Sequence, residues 1–266
     1  MKAYYAYFKL SLLKNLQYKT AALAGMATQL FFGMVFIMIF EAFYSLSGPQ
    51  PIGFDQLVQV VWLQQAFLSF IMLWQRDSEL NDMIVKGQIA YELVRPNKLF
   101  PFWYFKLLGQ RLAGGLLRFF PIIAIAIFLP EPYTLKGPES WMTLVWSLVS
   151  LTLGLLVIVG ISMLIYISIF YTLSPMGSFL LVGVFGEFFA GLTIPIPLMP
   201  QWLQTLCFIL PFRYGGDLPF RIYAGHIKGS DIVIGLAMQV TWLLLIWLGG
   251  SWWMNKSLKR VVVQGG

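Results

Sequence analysis

Uncharged blocks, too long for a soluble fold, alternate along this chain with short polar segments. Ala21 to Phe40 and Val58 to Trp74 carry no charge, and Trp141 to Gly186 runs 46 residues without one. About 20 apolar residues cross a bilayer as a helix, and a charge at mid-depth costs on the order of 3 kcal/mol. The pattern predicts an all-α integral membrane protein, a single transmembrane domain over 1–266.

Six spans are expected. An amino-terminal interfacial helix over 1–20 comes first, with Tyr5, Phe8, Leu12, Leu13 and Leu16 on one stripe and Ser11, Asn15 and Tyr18 opposite. Span 1 covers 21–44 and span 2 covers 57–74. A polar loop over 75–106 follows, then span 3 at 107–129, stopped by Pro130 and Pro132. Span 4 covers 141–166, and span 5, at 178–192, is short before Pro195, Pro197 and Pro200 break it. The segment 194–210 is too short to cross and reads as a re-entrant element, its broken backbone shielded by protein or facing water. Span 6 covers 232–254.

Charge changes the picture through its placement. Of 18 Lys and Arg, thirteen fall on the side of the amino terminus, four on the other (Lys136, Arg213, Arg221, Lys228), and Arg118 lies inside span 3. The cytoplasmic bias of basic residues therefore puts both termini in the cytoplasm. The same placement accounts for the net charge of +7 without nucleic acid, for which no basic groove is present. The spread of Lys2, Lys9, Lys14 and Lys19 ahead of a span-length apolar run is unlike a secretory signal. One cysteine, Cys207, and one histidine, His226, give no material for an internal disulfide or a His-rich metal centre.

Two places invite a functional reading. In the 75–106 loop, Asp77 or Ser78 suits a helix amino terminus and Gly87 its end. Leu80, Met83, Ile84 and Gly87 then share one face, with Asn81, Asp82 and Lys86 turned away. Such a helix is either a docking knob for a soluble partner or an interfacial element touching only lipid. Within the spans, Arg118 and Glu187 are the charges that need a partner or water. They line a pathway, form a gating ion pair or form a static pair, with Arg118 alternatively snorkelling. Phe185, Phe188 and Phe189 flank Glu187 as pathway lining or as packing.

The run Ile84-x-x-Gly87-x-Ile89-x-x-x-Leu93-x-Arg95-Pro96 resembles the pattern after the second span of ABC type-2 exporter permeases. The order of elements is similar too: a Lys-rich interfacial helix, six spans, the Pro-broken stretch Leu192 to Leu203, then Leu210-Pro211-Phe212-Arg213-Tyr214, and a tail ending Gln264-Gly265-Gly266. The resemblance covers nearly the whole chain and is closest to bacterial permeases that pair with a second, related permease and a separate ATPase. It implies a coupling helix over about 78–89, with Leu80, Met83, Ile84, Gly87 and Ile89 contacting the ATPase. It also implies an external re-entrant segment over about 194–210, so that Pro195 and Pro197 join Arg118, Glu187 and Phe188 as pathway or gate residues. The implied partners are ATP-binding-cassette ATPase subunits, a second permease subunit, the same or related, and membrane lipids. The implied location is the bacterial cytoplasmic membrane.

No G-x-x-x-x-G-K-[ST] phosphate loop occurs in the chain, so no cofactor is expected here, ATP and magnesium belonging to the ATPase. Leu46-Ser47-Gly48-Pro49-Gln50 looks like a nucleotide-binding signature but sits in a turn with no such loop upstream. An enzyme would want a cluster of His, Cys or carboxylates, and an ion-coupled carrier usually shows several intramembrane charges and internal repeats. The expectation is a non-enzymatic permease subunit working as a dimer on an amphipathic or lipid-like cargo. The alternative is an ion-coupled carrier or channel using Arg118 and Glu187.

Overall fold

The computed structural model describes residues 2–260; the Gln264-Gly265-Gly266 tail lies outside the described residues. Regular structure in that range is helical throughout. Four helices are long and apolar enough to cross a membrane: α2 (Lys19–Leu46), α7 (Leu99–Ile127), α8 (Trp141–Thr172) and α13 (Ser230–Leu258). The remainder are α1 (Lys2–Leu16), α3 (Phe54–Ala66), α4 (Leu68–Ile71), α5 (Ser78–Val85), α6 (Ala90–Leu93), α9 (Pro175–Phe189), α10 (Gln201–Ile209), α11 (Arg213–Gly216) and α12 (Leu218–Tyr223).

The hub is α8. Val157, Ile158, Val159, Ile161, Met163, Ile165 and Ile167 are buried on all sides, the mark of a helix at the centre of its bundle. Ser140 starts it by accepting a hydrogen bond from the Thr143 N–H. α7, α9, α11, α12 and α13 pack around it. Gln239 of α13 donates to the Ser150 and Tyr214 carbonyls at 2.8 and 2.7 Å, tying α8, α11 and α13 together. α2 is the least enclosed long helix, with Leu23, Phe31, Phe32, Met38 and Ile39 on its exposed side.

Several expected elements are drawn differently. Span 2 is not one long helix: it divides at Phe67 into α3 and α4, and α4 ends after Ile71, where Arg111 of α7 takes the Ser69, Phe70 and Met72 carbonyls. α7, which holds the expected span 3, begins at Leu99 rather than 107. Its first turn tolerates Pro101, where backbone N–H groups have no intrahelical partner, and Lys106 is neutralised by neighbouring carboxylates. α9 has only 15 residues, about 22 Å at the usual helical rise, short of a full crossing. The 194–210 segment is a 3-10 turn at Ile196–Leu198 followed by α10. Pro195 and Pro197 are buried, and the Pro197 and Met199 carbonyls accept from Gln204 Nε2.

The inward face of α1 is rotated from the expected stripe, of which Phe8, Leu12 and Leu16 are half-buried. Ser11, placed on the polar side by the sequence pattern, is the buried residue, while Tyr5 and Leu13 point outward. Ser11 Oγ donates to the Lys106 carbonyl at 2.7 Å, and Tyr7 stacks on Phe102 with centroids 4.1 Å apart. A side chain at Gly109 would meet the Phe8 carbonyl at 2.6 Å. Small residues thus let α1 lie directly on α7, and that close approach outweighs the apolar stripe.

Candidate functional site

Two polar groups of side chains stand out against the apolar bundle. The first fastens α5 to the bundle. Asp77 caps α5 by accepting from the Leu80 N–H at 3.0 Å, while its own N–H donates to Tyr166 Oη of α8 at 2.6 Å. Lys106 of α7, almost fully buried, places Nζ 3.0 Å from Asp77 Oδ1 and 2.8 Å from Glu79 Oε2. Lys14 of α1 adds a longer contact to Glu79 at 3.6 Å. The Lys106 hydrogen bond holds the Glu79 carboxyl below its ordinary range, against an opposing effect of burial. Three helices, α1, α7 and α8, therefore hold the amino-terminal end of α5.

One turn further along α7, Arg111 is wholly enclosed. Its Nη1 donates to the Ser69, Phe70 and Met72 carbonyls at 3.1, 3.3 and 2.8 Å, and its Nη2 to Ser162 Oγ at 2.8 Å. The last carbonyls of a helix have no intrahelical partner, and a guanidinium supplies donors in a rigid fork. Arg111 thereby satisfies the carbonyls left at the carboxy-terminal end of α4 inside an apolar bundle.

The apolar stripe of α5 faces inward. Leu80 is 0% exposed, Ile84 6% and Ile89 1%, with Met83 packed beside them. As a docking surface this stripe is already occupied by the chain's own helices. Gly87 remains exposed at φ +70°, the left-handed value glycine accepts at a helix end. The outward surface carries Val85 (46% exposed), Tyr91 (75%) and Val94 (82%), with Asp82 and Lys86 paired at 2.9 Å.

The second group lines a cavity of about 380 Å³. Thr28, Gln29, Phe32 and Phe36 of α2, Gln64 and Gln65 of α3, Leu68 of α4, Met72, Trp74, Glu187 of α9, Leu192 and Thr193 form its wall. α9 approaches closely because it presents glycines: a side chain at Gly183 would lie 3.2 Å from Trp74 Cβ, and one at Gly186 would overlap Leu73. That approach places Glu187 beside Trp74. Gln64 Nε2 donates to the Gly191 carbonyl at 3.3 Å. Gln29 is 4% exposed, and neither its amide nitrogen nor its oxygen has a hydrogen-bond partner.

Of the intramembrane charges expected to matter, Glu187 lines this cavity and Arg118 does not. The two form no ion pair with each other among the described residues. Arg118 instead lies against α2, where a side chain at Gly25 would meet its Nη2 at 3.0 Å. Phe188, Pro195 and Pro197 are also outside the cavity wall. Glu41 accepts a 2.6 Å hydrogen bond from Tyr133 Oη, a fixed position at the far end of α2.

Reading the spans for charge alone missed Gln29, Gln64 and Gln65, and overlooked what Lys106 and Arg111 do. The glutamines were visible as neutral polar residues inside otherwise apolar runs, each costly to bury without a partner. A scan against protein-family models and searches of curated proteins and of solved structures found no match to this chain.

Proposed function

We propose that the chain is the membrane-spanning permease subunit of an ATP-driven exporter, moved by separate nucleotide-binding subunits. The observation that carries the reading is the fastening of α5 to α1, α7 and α8 through Asp77, Glu79, Lys106 and Tyr166. A short polar-capped helix held at one end by three bundle helices is a lever: force on its outer face passes into the bundle. Val85 on that face, with Tyr91 of α6 and Val94 just after it, is exposed to a soluble partner. The resemblance to ABC type-2 exporter permeases puts a coupling helix on the same residues. On this reading the chain crosses six times, with α3–α4 and α9 as interrupted crossings. Both termini lie in the cytoplasm of a bacterial cell, as the thirteen-to-four distribution of Lys and Arg favours. Two permease subunits, identical or related, enclose the path.

The experiment is purification of the chain from its native membrane in mild detergent, with mass spectrometry of what accompanies it. A stoichiometric ATP-binding subunit is the expected result; its absence from a stable preparation would sink the reading. Substituting Val85→Asp with Tyr91→Asp is expected to release that subunit. Met83→Asp with Ile84→Asp is a poor test, since a charge in place of the enclosed Ile84 would damage the fold itself. The Glu187 cavity also suits a second reading, an ion-coupled carrier. The two separate on whether transport in vesicles follows ATP or an imposed ion gradient.

A further inference from the structure

We propose that the cavity between α2, α3 and α9 is a binding site for an organic cation with an apolar body, its positive centre held at the Glu187 carboxylate, with Gln29 in the same wall. The inference deepens the transport reading by naming the class of cargo.

Three properties of the wall point the same way. Glu187 is the only ionisable side chain lining the cavity, so no lysine, arginine or histidine in that wall neutralises it. A carboxylate in a poorly hydrated setting draws a positive partner, and that partner in turn favours its ionised form. Gln29 is enclosed with both ends of its amide unpaired. Buried polar atoms of this kind ordinarily have partners; the amide is itself closed off in this structure, and a turn of the side chain into the cavity would give it one. Phe32, Phe36 and Trp74 present aromatic rings, whose faces attract cations.

The volume of about 380 Å³ falls in the range of small-molecule sites, roughly 300–1,000 Å³. An anion would meet a carboxylate with no cationic side chain in the wall to offset it. A bare metal ion would find one carboxylate among aromatic and aliphatic surfaces, and among the described residues no group of three His, Cys, Asp or Glu gathers.

The test measures equilibrium binding of two ions of matched size and opposite charge, tetraphenylphosphonium and tetraphenylborate, to the full chain in lipid nanodiscs, with empty nanodiscs subtracted. Saturable binding of the phosphonium and none of the borate is expected. E187Q should weaken phosphonium binding by about tenfold or more, the scale of one lost charge-assisted contact. E187D, which keeps the charge, should retain most of it. Equal affinity for the two ions, no saturable phosphonium binding, or an E187Q variant that binds like the wild type would each overturn the proposal. The two-ion comparison on the wild type needs no variant, so it decides even if E187Q does not fold. Because binding is read without any ATPase, its failure is distinct from failure to recover an ATP-binding subunit.

Discussion

Arg111 and Gln29 are both polar, both enclosed and both set in helices of an apolar bundle, yet their surroundings differ completely. Arg111 spends its donors on three backbone carbonyls and one hydroxyl. The Gln29 side-chain amide makes no hydrogen bond among the described residues. Burial of a polar group is costly unless it is paired, so a saturated group is explained by the fold, whereas an unsaturated one beside a cavity asks for something from outside. The region from Asp77 through Lys106 and Arg111 belongs to the first kind. The wall shared by Gln29 and Glu187 belongs to the second.

The contrast is sharpest under substitution. Arg111→Met should be the most damaging change, destabilising the fold by about 3–5 kcal/mol, because the end of α4 would keep buried carbonyls with no donor. Thermal unfolding in detergent measures it, and a near-neutral result would mean the end of α4 does not depend on this side chain. Lys106→Met comes next, at roughly 1–3 kcal/mol, since Asp77 and Glu79 lose their shared cation. Protease cleavage within 75–98 should rise with it as α5 comes loose.

Gln29→Leu should behave oppositely: stability unchanged or raised by about 1 kcal/mol, as an unpaired amide gives way to an apolar group, while affinity for tetraphenylphosphonium falls. A large loss of stability would erase the distinction between the two regions. The smallest effect is a pH dependence. Glu79 has its folded pKa depressed by the Lys106 hydrogen bond. Its contribution is therefore fully present above the ordinary carboxylate pKa and is lost as pH falls through the depressed one. The difference in unfolding temperature between wild type and Glu79→Gln should accordingly shrink to nothing in acid.

Much of the architecture was legible because membrane helices announce themselves by length and apolarity. Residues 21–44, 141–166 and 232–254 mark helices that the structure draws within a few residues at most ends, although α8 continues six residues past 166. The end of span 2 near Ile71 was not legible, since the Arg111 that takes its last carbonyls is far away in sequence. The orientation of α1 was only partly legible for a related reason. Its apolar stripe is a local pattern, while the choice of Ser11 as the inward residue depends on Gly109 of another helix. For α5 the periodicity grouped Leu80 with Ile84 correctly, but periodicity carries no sign. The same stripe that would suit a partner is the one the chain's own bundle covers.

By itself the sequence determined what each segment is able to be. Uncharged runs of span length commit the chain to helices in an apolar environment, since a backbone there must satisfy its own hydrogen bonds. Asp77 and Ser140 mark where two of those helices begin. Only the tertiary structure decided which polar residues are spent and which are free. Lys106 and Arg111 find carboxylates and carbonyls contributed by segments more than 25 residues away, whereas Gln29 and Glu187 are brought to one cavity wall, the Gln29 amide without a partner. The physical reason is that satisfying a hydrogen bond requires a partner in space, and spatial neighbours between helices are set by packing rather than by order along the chain.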